Sequence, residues 1–414
     1  MKRLSALGGL LLLLTFGGWA TQAAPGDWPQ WRGANRDGIS TETGLLDAWP
    51  AGGPPLLWKA TGLGGGYVTP SVVSGRIYGA GYRGQDEVVW ALDAANGKEV
   101  WSTRVAPANR QIGYAEGPRA MPTVDGELLF TLGAGGNLHC LETKTGKVVW
   151  SRDLPKDLGG VMMSEWGFSE SPLVDGDHLI CTPGGPKGTV AALNKKTGEL
   201  LWQSKDLEDP ASYSSLIAVE IGGQRQYVVL TGQSVAGIAA KDGQLLWRAD
   251  RVGKTAVVTT PIFHDNQVWV TSSYGTGCNL FKVSAAGGGF AAEQVYANKG
   301  IKNHHGGAIL VGSHVYAADG PTLVCMELAT GKVAWKERSV GEGSLTYAGG
   351  CLYLRSENGP IALIEATPKG YVEKGRFDQP DRTKTKSWPH PVIASGRLYL
   401  RDMDLLLCYD VKKK

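Results

Sequence analysis

The chain has 414 residues, with 42 Lys or Arg against 39 Asp or Glu. A formal charge of +3 with histidine neutral leaves no electrostatic footprint for nucleic acid or an anionic membrane surface. Its 59 glycines and 21 prolines approach a fifth of the residues and are spread evenly, which marks a turn-rich folded chain rather than a disordered one.

The first element in chain order reads as a leader. Lys2 and Arg3 precede an apolar run from Leu7 to Phe16 and a small-residue stretch from Ala20 to Ala24, the pattern of a secretory signal. Residues 1–24 are assigned to it, with cleavage after Ala23 or Ala24 and a mature net charge of about +1 once Lys2 and Arg3 are removed. The first cysteine is Cys140, so the new N-terminus carries no lipid-attachment cysteine. A soluble periplasmic or secreted protein is expected. Beyond the leader no apolar run approaches the roughly 20 residues of a membrane helix, so no transmembrane segment is expected. Residues 25–53 include DWPQWRGANRDGIS, Asp27 to Ser40, and are read as an extended segment that packs on the main body of the protein through Trp28 and Trp31.

From residue 54 to 414 one phrase recurs: AANGKEVW ending at Trp101, TKTGKVVW at Trp150, KKTGELLW at Trp202, AKDGQLLW at Trp247 and ATGKVAW at Trp335. The tryptophans are 49, 52, 45 and 88 residues apart, and 88 is two periods of 44, so one copy has lost its tryptophan. A period of this length in strand-forming sequence is that of a propeller blade. Within Pro122 to Trp150, β-branched and apolar runs alternate with VDG, GAGG and TGK turns, which predicts four short antiparallel strands. The final period, PVIASGRLYLRDMDLLLCYDV, holds only three strands, and Trp58 in PPLLWKA supplies the fourth. The 356 residues from Trp58 to Lys414 divide into eight periods averaging 44.5, which predicts an all-β, eight-bladed propeller closed by its N-terminal strand. A seven-bladed ring would require Thr260–Gly300 or Gly341–Gln379 to be something other than a blade. Trp58, Trp101, Trp150, Trp202, Trp247 and Trp335 are read as structural residues that cover the neighbouring blade.

Loop length marks the binding face. In a propeller the connections between blades and the second-to-third strand loops gather around one mouth of the channel, and the longest are Ser102–Ala120 and Ser151–Glu170. They bring Tyr114, Glu116, Arg119, Glu165, Trp166 and Glu170 to one rim, a set suited to a polar ligand or a sugar ring; the alternative is Arg119 paired with Glu116 or Glu170 to order the loops. KNHHGGA and SWPHP add His304, His305, Trp388 and His390 across the ring. Adjacent strand residues point to opposite faces, so only one of His304 and His305 should reach the channel, and no metal site is expected. Cys140, Cys325 and Cys408 fall at equivalent third-strand positions of distant blades, too far apart for disulfides, and are read as buried free thiols. No nucleophile elbow, phosphate loop or HExxH motif appears, and no catalytic residue is assigned.

The repeated TGK–Trp phrase resembles the tryptophan-docking motif of the pyrroloquinoline quinone (PQQ) propellers, a family that holds quinoprotein alcohol dehydrogenases and the outer-membrane assembly protein BamB. The DWPQWRGANRDGIS segment is similar to the opening of exported PQQ-like propellers common in planctomycetes and related bacteria. For the dehydrogenases the resemblance implies two adjacent cysteines over the quinone, a tryptophan beneath it, calcium held by Glu and Asn, and an Asp base; this chain has no Cys-Cys pair. No cofactor is therefore expected, and PQQ with calcium belongs only to an alternative reading. The leading expectation is a non-catalytic, monomeric scaffold of BamB type that binds an envelope protein or polysaccharide through its loop-rich face. The alternatives are a carbohydrate or small-ligand module at the channel mouth and a PQQ-dependent alcohol or sugar dehydrogenase.

Overall fold

A computed structural model describes residues 24–414; the expected leader, residues 1–24, falls outside the described residues apart from Ala24. Eight four-stranded antiparallel blades form a ring. Ser71–Val73, Arg76–Arg83, Asp86–Asp93 and Glu99–Pro107 make the first, and six more begin at Thr123, Leu173, Ile217, Ile262, Ile309 and Gly343. The eighth joins Val392–Ala394, Arg397–Asp402 and Leu405–Asp410 to Leu56–Ala60, where Trp58 lies opposite Cys408. The N-terminal strand thus closes the ring and removes an open sheet edge. Both weak periods are blades, so the count is eight and not seven. One helix, Leu154–Leu158, interrupts the pattern among the described residues.

The burial of the strands follows from the stacking of blades. Second and third strands are covered on both faces, as in Asp86–Asp93, where every residue but the two ends is buried. That explains their continuous apolar runs: a strand sandwiched between two neighbours has no solvent face and loses the period-2 alternation. Fourth strands lie on the rim and alternate, as in Glu99–Pro107. All six cysteines are buried and free.

The repeated tryptophans tie each blade to the next. Trp58, Trp101, Trp150 and Trp335 donate their indole N–H to carbonyls of Ala94, Thr143, Lys195 and Thr367, at 2.9–3.2 Å. Trp202 lays its ring against the turn at Gly243 without such a bond. Trp247 departs from this expectation. It turns onto its own blade, donating to Gln226 Oε1 at 2.8 Å, because the next blade has no TGK turn to receive it: Gly277–Ala286 and Gly289–Asn298 run on as a long hairpin. The copy without tryptophan carries Tyr296, whose hydroxyl donates to Leu328 O at 2.8 Å while its ring lies against Gly331.

The segment from Gly26 to Ser40 occupies the centre of the ring. Trp28 bridges to Val72 in blade 1, Pro29 O accepts from Val124 N in blade 2, and Ile39–Ser40 adds a parallel strand to Gly343–Ala348 in blade 7. Arg36 donates to Ser171 O and Pro172 O entering blade 3; Arg32 donates to Gly306 O and Ala308 O entering blade 6. Trp31 Nε1 donates to Thr260 Oγ1 entering blade 5, at 2.8 Å. Gly26 O accepts from Ser395 in blade 8.

The docking geometry is testable at its glycines. Gly146 has φ 71°, and a Cβ there would lie 2.4 Å from the Trp101 ring, whereas Gly126, at φ 57°, faces open space. Gly146→Ala should therefore destabilise by about 1–3 kcal/mol more than Gly126→Ala, which carries only the backbone strain. Chemical denaturation of the two variants decides this; equal midpoints would show that the tryptophan ring yields freely.

Candidate functional site

A cavity of about 140 Å³ opens at the channel mouth. Seven of the eight blade-to-blade connections line it: Tyr67 and Thr69, Tyr114 and Arg119, Trp166 and Ser169, Tyr213, Ala256 and Val258, His304 and His305, and Trp388 and His390. Trp31 reaches it from the central segment. Residues from connections all around the ring converge on this one cavity, each connection contributing only one or two.

One wall is a run of aromatic rings. Tyr67 stacks on Trp388 with centroids 4.4 Å apart; Tyr114 meets Trp388 and Trp166 edge-on at 4.8 and 5.5 Å; Trp166 stacks on Tyr213 at 5.4 Å. Offset and edge-on contacts of this kind hold rings in place beyond what burial alone gives. Arg119 crosses above Tyr67, donates Nη2 to the carbonyls of Gly113 and Tyr114, and leaves Nη1 buried with no acceptor among the described residues. Its burial lowers its pKa from the ordinary arginine value.

The opposite wall is imidazole. His305 Nε2 lies 3.1 Å from Glu357 Oε2, and His304 Nδ1 lies 3.2 Å from Glu342 Oε1. Burial alone would raise the Glu357 pKa, but hydrogen bonds from His305, Lys386 and Trp388 outweigh it and bring it down to about 2. The hydrogen bond to His304 likewise holds Glu342 below the usual carboxylate range. His390 packs on Trp31 at 4.6 Å, and its Nε2 lies 2.9 Å from His305 O; desolvation drives its pKa down to about 3, so it is neutral and donates to that carbonyl.

Seven sequence candidates line this cavity: Tyr114, Arg119, Trp166, His304, His305, Trp388 and His390. Glu116 stands behind it and accepts from Tyr67 OH at 2.9 Å, so neither it nor Glu170 pairs with Arg119 as the alternative had it. The Glu165 side chain is exposed outside the lining. Glu170 is not at the rim: it is buried and accepts from the backbone and hydroxyl of Thr182. The expectation that His304 and His305 diverge also fails. They sit in a turn rather than a strand, so strand alternation does not apply, and their rings lie 5.1 Å apart. Tyr67, Tyr213, Trp31, Glu342 and Glu357 were not legible as site residues, since each is a lone residue in a short connection or was read as packing.

The quinone donor set is not reproduced here. Among the described residues no cysteine and no carboxylate lines the cavity, although the aromatic faces and the Arg119 guanidinium suit a planar or polar ligand.

The buried position of Glu170 has a pH consequence. Burial raises its pKa from the ordinary 4.5 to about 7, opposed by the Thr182 hydrogen bonds and by Arg36. The folded state therefore binds more protons than the unfolded one between those values, and stability falls as pH rises through that window. Relative to Glu170→Gln, the wild type should lose on the order of 3 kcal/mol from pH 4.5 to 7. Denaturation of both proteins across this range, with a constant difference between them, would contradict the buried-acid reading.

With the geometry in view, comparison with known proteins is informative. The family model described as outer membrane protein assembly factor BamB matches residues 85–337 and 301–369. BamB of Shewanella oneidensis is 26% identical over 323 residues, covering 75% of this chain and 68% of that protein. The serine/threonine-protein kinase AfsK of Streptomyces griseus is 30% identical over 172 residues, 41% of this chain but 20% of the kinase, so the chain spans only a fifth of that relative. Among solved structures, BamB from Moraxella catarrhalis superposes with a TM-score of 0.59 at 14% identity, covering 84% of this chain and 95% of that one. The quinohemoprotein alcohol dehydrogenase of Comamonas testosteroni gives 0.51 at 13% identity, covering 95% and 82%. At these identities the structural likeness shows the fold alone. Among the described residues no helix is long and apolar enough to cross a membrane. The eight blades, the tryptophan docking and a family model that matches well over half of the sequence agree: the chain belongs to the BamB-like family of PQQ-type β-propellers.

Proposed function

We propose that this protein is an exported interaction scaffold of BamB type that binds a cell-envelope protein across its mouth face. The observation that carries this reading is a set of large apolar side chains exposed on loops of that one face: Tyr114, Val161, Val252 and Tyr274, with Val252 73% exposed. Solvent-exposed apolar groups gathered around a pocket mark a contact surface when they share a face, and scattered single ones do not. The likeness to BamB supports the same class of partner. A photo-crosslinking residue placed at Val161, Val252 or Tyr274 in cells should capture one discrete envelope protein, whereas the same probe at Val100 or Val149 on the blade rims should not. Capture from the rim alone, or from none of these positions, overturns the reading.

A second reading is favoured by the buried Nη1 of Arg119, which lacks an acceptor among the described residues and lies beside a wall of stacked rings. The pocket itself would take a small planar or sugar ligand, with the rings covering its faces and Arg119 binding an oxygen. PQQ and a panel of envelope saccharides are the probes. Saturable quenching of tryptophan fluorescence that is lost in Trp166→Ala, with the melting temperature within a few degrees, supports it; a flat titration at tens of micromolar for every probe removes it.

A further inference from the structure

We propose that His304, His305 and Glu342 form a binding site for a divalent transition-metal ion of the zinc type, set in the wall of the mouth pocket. One ligand atom from each of the three residues lies within 4.8 Å of the other two. Imidazole nitrogen and carboxylate oxygen sit about 2.1 Å from such an ion, so adjacent ligands on a tetrahedral site are about 3.4 Å apart. His304 Nδ1 and Glu342 Oε1 are already 3.2 Å apart. Their side chains are 28% and 31% exposed, which leaves them room to rotate and close on His305.

The independent observation is on His305. Its side chain is 4% exposed, and its Nδ1 has no hydrogen-bond partner among the described residues. The Glu357 carboxylate oxygen accepts from His305 Nε2, which places the ring N–H there and turns Nδ1, without a partner among the described residues, toward a lone-pair role. A buried lone pair with nothing to accept from carries a desolvation cost that a bound cation would offset. The carboxylate behind the imidazole is also the arrangement that orients metal-bound histidines and raises their basicity. Glu357 is itself fixed, accepting from Lys386 Nζ at 2.5 Å and Trp388 Nε1 at 3.2 Å. On the other ligand, Tyr274 OH lies 3.5 Å from His304 Nε2, which leaves Nδ1 as the atom that faces the site.

The turn that holds the two histidines is unusually well anchored. Gly306 N donates to Asn303 Oδ1, Asn303 Nδ2 donates to Ala318 O, and Gly306 O accepts from Arg32. His305 O accepts from His390. Two imidazoles and one carboxylate select a borderline transition metal over calcium or magnesium, which prefer all-oxygen sets. Three protein ligands leave at least one coordination position for water or for an oxygen of a ligand in the aromatic cavity.

The test uses the tag-free chain stripped with chelator and titrated with Zn²⁺ by calorimetry and with Co²⁺ by visible absorption. One ion per chain is expected, with a saturable ligand-field spectrum, and excess Ca²⁺ should not displace it. His305→Ala and Glu342→Gln should each weaken Zn²⁺ at least about 10-fold, and Glu357→Gln, which removes only the supporting carboxylate, about 10–100-fold. His264→Ala, on the surface, should bind as the wild type does. Glu342→Gln neutralises a partly exposed ligand and keeps the test open if His305→Ala does not fold. No saturable binding by the wild type, or equal binding by wild type, His305→Ala and Glu342→Gln, overturns the proposal.

Discussion

The two buried arginines of the central segment are the interaction on which the rest of the structure depends. A ring of eight blades leaves an axis lined by inner strands, and the carbonyls that enter those strands need donors where water is scarce. Arg32 and Arg36 supply several each, bonding blade 6 and blade 3 across the ring. Burial pulls both pKa values down to about 10, which leaves them charged at neutral pH. A guanidinium suits this role because it is planar, permanently charged and able to donate to several carbonyls at once.

That same segment shapes the mouth pocket from within. Trp31 enters the cavity and packs on His390, His390 bonds the carbonyl of His305, and Arg32 bonds the carbonyl of Gly306 one residue further on. The position of the histidine turn is thus set by the plug as much as by blades 5 and 6. A pocket held in this way is preformed, and a ligand or ion entering it need not order the loops first. The aromatic wall is rigid for a related reason, since Tyr67, Trp388, Tyr114, Trp166 and Tyr213 brace one another.

The mouth therefore combines two surfaces of different chemistry at one place. Exposed apolar side chains stand on the rim loops, while aromatic rings and imidazoles line the cavity inside, with Glu342 and Glu357 hydrogen-bonded to the imidazoles. The propeller is a frame, and its connections, free of the constraint of blade packing, are where a chain can carry chemistry.

By itself the sequence determined the blades. A 44-residue period, Gly turns and docking tryptophans are local signals, and stacking between neighbours is a local interaction, so the number of blades, their strands and the closure through Trp58 were all legible. Seven of the pocket residues were legible too: Tyr114, Arg119 and Trp166 from the two longest loops, and His304, His305, Trp388 and His390 from two histidine-bearing connections. Only the tertiary structure decided which side chains meet. Glu170 reads like a rim residue until its burial against Thr182 is seen, and Trp247 reads like its fellows until the long hairpin beside it removes its dock. The approach of His304 and His305 to Glu342 and Glu357, 37 to 53 residues further along, comes from ring closure about an axis, which brings isolated residues of separate connections to one point and leaves no pattern along the chain.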